Sequence, residues 1–323
     1  MNWEVKAMEA MATRKTFGNT LLELGKQRDD FVVLDADISK STYSYLFHEE
    51  FPDRAYNLGI AEQNMMGTAA GMAASGLKVI TTTYAVFASM RALEQVRTFI
   101  CYPNLDVKIA ASHGGLQVSS DGVSHQGLED IAIMRSLANM TVVHPADPLS
   151  AKKFVKLILN YEGPVYLRLL RNAVPVIYDQ DQEFEIGKGI IVKDHKKAEC
   201  TIFACGLMVD KSLQAAEQLK KEDILVRVID LPTIKPLDKE LVLKSARQTG
   251  AAVTAEDHNI VGGLGGAISE VLGEKEPLPL KRIGVKDEFG ESGAPEKLFT
   301  KYGMNVEHII EAVKGVIAGK RQK

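Results

Sequence analysis

Short apolar runs alternate with amphipathic segments along the first half of the chain. Residues 31–35 and 165–169 are apolar runs of the kind that forms buried parallel strands, and residues 62–74 carry the small side chains of a tightly packed helix. The same pattern predicts strands at 78–82, 107–111 and 141–143 and helices at 16–26, 87–99 and 150–159. Because strands alternate with helices, this half is predicted to be a mostly parallel, doubly wound sheet covered on both faces.

The alternation stops at residues 172–185, which are aperiodic and contain Pro and Asp, and then restarts. Strands are predicted at 201–204, 226–229, 251–255 and 283–285, and helices at 209–220, 238–246, 265–272 and 306–317. We therefore predict an α/β protein of two domains. They are a first domain at 1–172, a linker at 173–188 and a smaller α/β domain at 189–323, ending in a frayed tail at 319–323.

Composition and charge narrow the classes of function. Hydrophobic residues make up 46% of the 323 residues and charged residues 25%, which is typical of globular proteins. The net charge is −3 without a basic stripe, which argues against binding to nucleic acid or a membrane surface. No signal-peptide pattern begins the sequence, and no run of about 18 apolar residues could span a bilayer.

The three cysteines form an odd and sparse set, Cys101, Cys200 and Cys205. Such a set is typical of reduced thiols in a cytoplasmic protein. Cys200 and Cys205 lie in an apolar run, which favours a structural role. The sequence has no Cys/His cluster with metal-ligand spacing, so we expect this chain alone to bind no metal.

Polar side chains at two places could carry chemistry. Glu62 lies where a loop enters a helix, and a first-turn acid that only stabilises the helix is an equally good interpretation. His113, Asp121 and His125 follow a strand in loops rich in Gly and Ser. A loop histidine is usually solvated, but ligands bind at the carboxyl ends of parallel strands, and two histidines so close together favour a site.

Three further motifs are ambiguous on their own. Tyr84 and Phe87 are aromatics at a strand end and fit a core position. Arg168 and Arg171 could bind phosphate or carboxylate, although a surface ion pair is the better interpretation without context. The glycine-rich stretch at 262–266 lacks the spacing of a dinucleotide-binding loop and is interpreted as the flexible start of a helix.

In their order along the chain, these motifs resemble the pyrimidine-binding and C-terminal domains of transketolase. The resemblance runs from about Ala12 to Gly315. The matching motifs are Ala12-Thr13-Arg14-Lys15, Asp35-Ala36-Asp37, Ser41-Thr42, Ile60-Ala61-Glu62-Gln63-Asn64-Met65, Ser112-His113-Gly114, Asp121-Gly122, Ser124-His125-Gln126, Leu128-Glu129-Asp130, Thr233-Ile234-Lys235-Pro236-Leu237-Asp238 and Glu256-Asp257-His258.

The resemblance implies a thiamine diphosphate site. Glu62 matches the glutamate that hydrogen-bonds the aminopyrimidine ring of the cofactor, where proton transfer needs a buried, tuned carboxyl group. Phe87 matches the aromatic that stacks on the pyrimidine, with Tyr84 as its neighbour. Asp37 matches an acid near the cofactor at the subunit interface.

The resemblance also implies a sugar-phosphate site. His113 and Arg171 match residues that hold the substrate phosphate, together with Arg14 and Ser41, as a charge-assisted clamp. Asp121 matches a residue that recognises a substrate hydroxyl. His125 matches the position that binds the carbonyl or first hydroxyl of the donor in bacterial and yeast-type members of the family.

Two departures from the transketolase pattern matter. The first domain of a full-length enzyme, with its Gly-Asp-Gly and magnesium motifs, is absent, so the chain resembles the C-terminal subunit of a split transketolase. A partner N-terminal subunit would then supply most of the contacts to the diphosphate and Mg²⁺, with a heterotetramer as the expected assembly. The second departure is one residue inserted within 84–91, which leaves open whether Phe87 or Tyr84 stacks on the pyrimidine.

The implied activity is transfer of a two-carbon ketol unit from a ketose phosphate to an aldose phosphate, with the carbanion chemistry supplied by the cofactor. Alternatives are the β subunit of a 2-oxoacid dehydrogenase decarboxylating component, a deoxyxylulose phosphate synthase-like enzyme and a non-catalytic relative that binds a partner. The first has no need of the phosphate clamp. The second normally keeps three domains in one chain, and the third need not retain Glu62, His113 and His125.

Overall fold

A computed structural model describes residues 10–321. The first half contains eight labelled strands and seven labelled helices. The strands are β1 (Met11–Ala12), β2 (Phe31–Asp35), β3 (Ala55–Asn57), β4 (Lys78–Tyr84), β5 (Val107–Ser112), β6 (Thr141–Val143), β7 (Val165–Leu169) and β8 (Ala173–Val174). The helices are α1 (Thr13–Gly25), α2 (Ser39–Thr42), α3 (Tyr45–Glu50), α4 (Glu62–Ala74), α5 (Leu93–Gln95), α6 (Asp130–Ser136) and α7 (Pro148–Ile158).

The second half repeats the alternation on a smaller scale. Its strands are β9 (Ile190–Lys193), β10 (Cys200–Ala204), β11 (Val226–Asp230), β12 (Thr233–Lys235), β13 (Ala252–Asn259) and β14 (Leu280–Val285). Its helices are α8 (Met208–Lys220), α9 (Lys239–Thr249), α10 (Leu264–Lys275), α11 (Pro295–Lys301) and α12 (Val306–Arg321). The two halves give the predicted two-domain α/β architecture.

The first sheet has seven strands in the order β12, β6, β7, β5, β4, β2, β3. All of its pairings are parallel except that of β12, which the second half contributes and which runs antiparallel to β6. The second sheet has the order β14, β13, β10, β11, β9, with β9 as an antiparallel edge. Strands β2, β5 and β7 are buried along their whole length, as expected for a sheet covered on both faces.

The apolar pattern located the central elements well. Strands β2, β6 and β7 and helix α4 have the bounds that the sequence predicts. Helix α7 begins at Pro148, and Asp147 caps it by accepting a hydrogen bond from the backbone N–H of Ser150 at 2.7 Å. The glycine-rich stretch at 262–266 starts a helix as predicted, because α10 begins at Leu264.

The helix predicted at 87–99 takes an unexpected form. Two π-helical turns, Phe87–Arg91 and Val96–Cys101, flank α5. The N–H of Ala92 donates to the carbonyl of Phe87, five residues earlier, at 3.2 Å. A π-helical turn accommodates one extra residue in a helix and often lies at a functional site. The turn at 87–91 lies where the inserted residue was predicted, and the insertion itself stays a prediction.

The predicted linker is a packed connection, and one expectation at the end of the chain needs correction. Within the predicted linker, β8 pairs with β1, and the hydroxyl of Tyr178 donates to Asp230 at 2.5 Å, so this stretch is packed. The frayed tail is wrong for residues 319–320, since α12 continues to Arg321 and Lys320 donates to the carbonyl of Thr249 at 2.6 Å. Residues 1–9, where a signal peptide was sought, and 322–323 lie outside the described residues.

A buried charge cluster joins the two halves. Arg168, on β7, is fully buried, and its guanidinium donates to the carboxylate of Asp130 at 2.7 and 3.1 Å. It also donates to the backbone carbonyls of Gly127 and Asp257 at 3.1 and 3.0 Å. The surface ion pair expected for this motif is therefore wrong for Arg168, which is a structural cation. No helix among residues 10–321 has the length and apolar character that crossing a membrane requires.

Candidate active site

The residues singled out by the sequence gather at the carboxyl ends of the first sheet's strands. Ser41 follows β2, Glu62 follows β3 at the start of α4, and Tyr84 ends β4. His113 comes directly after β5, and Arg171 comes two residues after β7. Because parallel strands end at one edge of the sheet, segments far apart in sequence meet there.

Glu62 has a buried carboxylate with two side-chain partners. The residue is 2% exposed. Its Oε2 accepts a hydrogen bond from Arg91 Nη1 at 2.8 Å, and its Oε1 accepts one from Thr83 Oγ1 at 3.4 Å. Its carboxylate is thus engaged with side chains of β4 and the following π-helical turn. A cap on its own helix, the simpler interpretation of this acid, does not describe these contacts.

Four rings form a continuous group beside Glu62. Tyr84 and Phe87 stack with centroids 5.8 Å apart, and the His113 ring lies 4.0 Å from Tyr84. The His125 ring meets Phe87 edge-on at 5.4 Å. Tyr84 and Phe87 are partly buried, so they are not fully enclosed core residues.

Next to the rings lies a group of cations. Arg14 Nη1 donates to the backbone carbonyl of Ser41 at 2.5 Å and lies 3.5 Å from His113 Nε2. Arg14 Nε donates to the backbone carbonyl of Arg171 at 2.9 Å. Arg171 Nη2 lies 3.7 Å from a carboxylate oxygen of Asp121. Five of the predicted substrate residues, Arg14, Ser41, His113, Asp121 and Arg171, are therefore brought together.

The short pairing of β1 with β8 explains how two arginines from opposite ends of the first half meet. Met11 pairs with Val174 and Ala12 with Ala173, just outside the two arginines. The backbone N–H of Arg14 also donates to the carbonyl of Leu170 at 3.4 Å. These contacts fix both guanidinium groups at the same end of the sheet.

The loop after β5 is held by one group from each half, Arg168 of β7 and Asp257 of β13. An added Cβ on Gly114 would collide with the Arg168 guanidinium at 2.4 Å, and one on Gly115 with the Asp257 carboxylate at 2.1 Å. Gly115 also has a positive φ of 88°. Only glycine fits both the close approach and this backbone conformation. Asp257 Oδ1 accepts a hydrogen bond from the N–H of Leu116 at 2.8 Å, which fixes the loop that begins with His113.

A second contact between the halves fixes the loop that carries Asp121 and His125. Ser119 Oγ donates to the carbonyl of Gly293 at 2.9 Å, and Gln126 Nε2 donates to the carbonyl of Glu291 at 2.9 Å. Ser119 adopts a φ of 73°, which is rare for a residue with a side chain. The contact of Ser119 with Gly293 could not be found from the sequence, because nothing in it links positions 174 residues apart.

His113 is buried in a cationic environment. It is 2% exposed, its Nδ1 lies 2.8 Å from the hydroxyl of Ser112, and its φ is 62°. Burial, and then the positive charges of Arg14 and Arg171, lower the pKa of His113 to about 2. His113 is therefore neutral in the folded chain at any pH near 7.

The low pKa of His113 predicts a pH dependence of stability. Below the unfolded-state pKa of about 6.5, the unfolded chain binds a proton at this residue and the folded chain does not. Stability should therefore fall as the pH falls from 6.5 towards 4.5, by up to about 1.4 kcal/mol per pH unit from this residue. His113→Gln should make the slope of the unfolding free energy against pH shallower by about that amount in urea titrations.

The exposed His195 supplies the control for that measurement. In His195→Gln, the slope of the unfolding free energy against pH should nearly equal that of the wild-type chain. An equal slope in the wild-type and His113→Gln chains would show that His113 takes up its proton in the folded state.

Asp37 differs in its surroundings from the other predicted site residues. Its side chain is exposed, its φ is 64°, and its carboxylate accepts a hydrogen bond from Asn57 Nδ2 at 2.8 Å. Among the described residues, its side-chain contact is thus with the end of β3 rather than with the cation group. Asp37 lies at the carboxyl ends of the strands, as the other site residues do, on the side of Glu62.

Two family models together match nearly the whole chain. The one described as transketolase, pyrimidine binding domain, matches residues 9–176, and the one described as transketolase, C-terminal domain, matches residues 187–309. The two models therefore cover both halves of the structure, and the first contains every predicted site residue.

Comparisons of this chain with individual proteins indicate the same family. A putative transketolase C-terminal section from Methanocaldococcus jannaschii is 46% identical, over 93% of this chain and 94% of its own length. A 6-deoxy-6-sulfo-D-fructose transketolase subunit from Clostridium sp. (strain MSTE9) is 40% identical, over 98% of both chains. A solved structure described as a split gene transketolase, inactive beta4 tetramer, has 46% identity and a TM-score of 0.88, and the match covers 97% of this chain and 100% of that one. The chain therefore belongs to the transketolase family and corresponds to chains that carry its pyrimidine-binding and C-terminal domains.

Proposed function

We propose that this chain is one subunit of a two-chain transketolase that transfers a two-carbon ketol unit between sugar phosphates. A partner N-terminal subunit would provide the groups that hold the diphosphate and Mg²⁺ of thiamine diphosphate. The observation that carries the proposal is the unbroken series of contacts at the sheet edge. It runs from the buried carboxylate of Glu62, through Arg91, to the rings of Phe87, Tyr84 and His113. From His113 it continues to the arginines at 14 and 171.

The residues at the Glu62 end fit the aminopyrimidine part of the cofactor. A buried carboxylate offers acceptors for ring N–H groups, and the partly exposed ring of Phe87 offers a stacking face. When bound, the cofactor supplies the carbanion-stabilising chemistry. We assign Glu62 to hold a proton at the pyrimidine ring. Phe87 is assigned to stack on this ring, with Tyr84 as its neighbour. Asp37 is assigned to the subunit interface near the cofactor.

The residues at the other end fit a phosphorylated sugar. Arg14 and Arg171 provide two permanent cations, and His113 is a neutral hydrogen-bonding ring between them and the aromatics. Guanidinium forks and a neutral imidazole together suit a tetrahedral dianion. We assign these three residues and Ser41 to the phosphate, Asp121 to a substrate hydroxyl, and His125 to the carbonyl or first hydroxyl of the donor.

The surface near Glu62 supports a partner chain. Ile60 is 74% exposed two residues before Glu62, and Met90, Phe99 and Tyr102 are exposed on or just after the π-helical segment. We infer that the N-terminal subunit covers these apolar side chains and brings the Mg²⁺ site, within a heterotetramer. The three buried free thiols are consistent with a cytoplasmic location.

The grouping of Arg14, His113 and Arg171 argues against the closest alternative enzyme. The β subunit of a 2-oxoacid dehydrogenase component acts on a carboxylate donor that carries no phosphate. Two arginines also suit that carboxylate, but the reaction releases it as CO₂, so the neutral histidine and the two arginines fit better a phosphate that stays bound.

Mixing the two subunits tests the proposed function. Ketol transfer from xylulose 5-phosphate to ribose 5-phosphate, with thiamine diphosphate and Mg²⁺, is measured for this chain alone and with its N-terminal partner. We expect activity only in the mixture, because the proposal assigns the diphosphate-binding half of the site to the partner. Unphosphorylated xylulose should be a far poorer donor, since it leaves the arginines at 14 and 171 without their anion. An assembled mixture that uses no phosphorylated ketose would contradict the proposal.

A further inference from the structure

Arg91 is a cation at the cofactor end of the site with no role assigned so far. Its Nη1 donates to Glu62 Oε2 at 2.8 Å, and its guanidinium carbon lies 4.1 Å from the centroid of the Phe87 ring. The Arg91 side chain is 45% exposed, whereas that of Glu62 is 2% exposed. One half-exposed group therefore engages both the buried carboxylate and the aromatic ring beside it.

These two contacts are the ones assigned above to the aminopyrimidine ring of the cofactor. A guanidinium is flat, carries N–H donors at its edge and stacks on aromatic rings. A protonated aminopyrimidine has the same three properties. The two groups would compete for one carboxylate oxygen and one ring face.

We propose that Arg91 is a placeholder, which occupies the aminopyrimidine position in the cofactor-free chain and is displaced when thiamine diphosphate binds. This inference rests on the proposed function, since it uses the assignment of Glu62 and Phe87 to the pyrimidine. Arg91 neutralises a carboxylate that would otherwise be buried without a charged partner.

The local backbone favours such an exchange. Arg91 is the last residue of the π-helical turn Phe87–Arg91, so the extra residue of this turn sets where its side chain points. Its half-exposed side chain can rotate towards solvent without any change in the helix. Binding of the cofactor must break the Arg91–Glu62 pair, and this cost lowers the affinity of the wild-type chain.

The test is calorimetric titration of thiamine diphosphate, with Mg²⁺ present, into the complex with the N-terminal subunit. Arg91→Met should bind the cofactor about fivefold to tenfold more tightly than wild type, because the competing cation is gone. Arg97→Met is the matched control, since Arg97 is exposed on the same helical segment and contacts Thr98. Its affinity should equal that of wild type.

Unchanged or weaker binding by Arg91→Met would overturn the placeholder role, because Arg91 would then be neutral or would support Glu62 in the bound state. If Arg91→Met does not assemble, Arg91→Gln removes the charge with a smaller change in shape and should also tighten binding. A wild-type complex that binds no thiamine diphosphate would overturn the proposed function itself, and the placeholder role with it.

Discussion

Replacing Glu62 with glutamine is expected to lower ketol transfer by the reconstituted two-chain complex roughly a thousandfold, within the range typical for loss of a proton-transfer group. Glutamine has nearly the same shape and can still accept the hydrogen bond from Arg91 through its carbonyl oxygen. Its amide cannot hold and release a proton at the pyrimidine ring as a carboxyl group can. Steady-state assays at saturating cofactor separate this effect from weaker cofactor binding.

Glu94→Gln is the matched control for that experiment. Glu94 lies on α5 in the same helical segment as Arg91 but is exposed, and its contact is with the neighbouring Gln95 at 3.1 Å. Its replacement should leave turnover within about twofold of wild type, as expected for a surface change. If Glu62→Gln kept more than a tenth of wild-type turnover, Glu62 would not be the group that handles the proton.

Arg168→Met should cost the folded chain about 3–5 kcal/mol, the range for breaking a buried ion pair by removing one partner. The substitution leaves the fully buried Asp130 carboxylate without its cation. It also frees the carbonyls of Gly127 and Asp257. The midpoint and slope of urea unfolding, followed by circular dichroism, give the loss of stability.

An exposed ion pair provides the comparison. The Arg247 side chain is 58% exposed and pairs with Glu276 at 2.6 Å. Arg247→Met should cost no more than about 1 kcal/mol, because solvent already screens that pair. A similar small loss for both variants would mean that the buried cluster contributes little to joining the two halves.

The sequence was most informative where one physical effect dominates. Strands β2, β6 and β7 are rich in apolar, mostly branched residues, as burial on both faces of a sheet requires. The edge strands β3 and β12 were not predicted. Their sequences, Ala-Tyr-Asn and Thr-Ile-Lys, have no strand pattern of their own and become strands by pairing with a neighbour already in place.

The candidate site was likewise predictable only in part. The order of motifs located Glu62, His113 and Arg171, and the structure brings them to one edge of the sheet. Their catalytic and binding roles stay predictions. Arg168 and Arg171 could not be told apart from sequence, because Arg168 is distinguished by a partner 38 residues away. Arg91 was missed as a site residue for a similar reason, since its importance lies in the carboxylate it meets across the fold.

Strand β12 has a consequence for dividing this protein into modules. Residues 233–235 lie far past the connection between the halves, yet they form the outer strand of the first sheet beside β6. A polypeptide cut at the connection would leave the hydrogen-bonding edge of β6 bare, and bare edges promote self-association into aggregates. The two halves are separate in sequence but share the first sheet. A chimaera that grafts the site onto another scaffold should therefore carry both halves together.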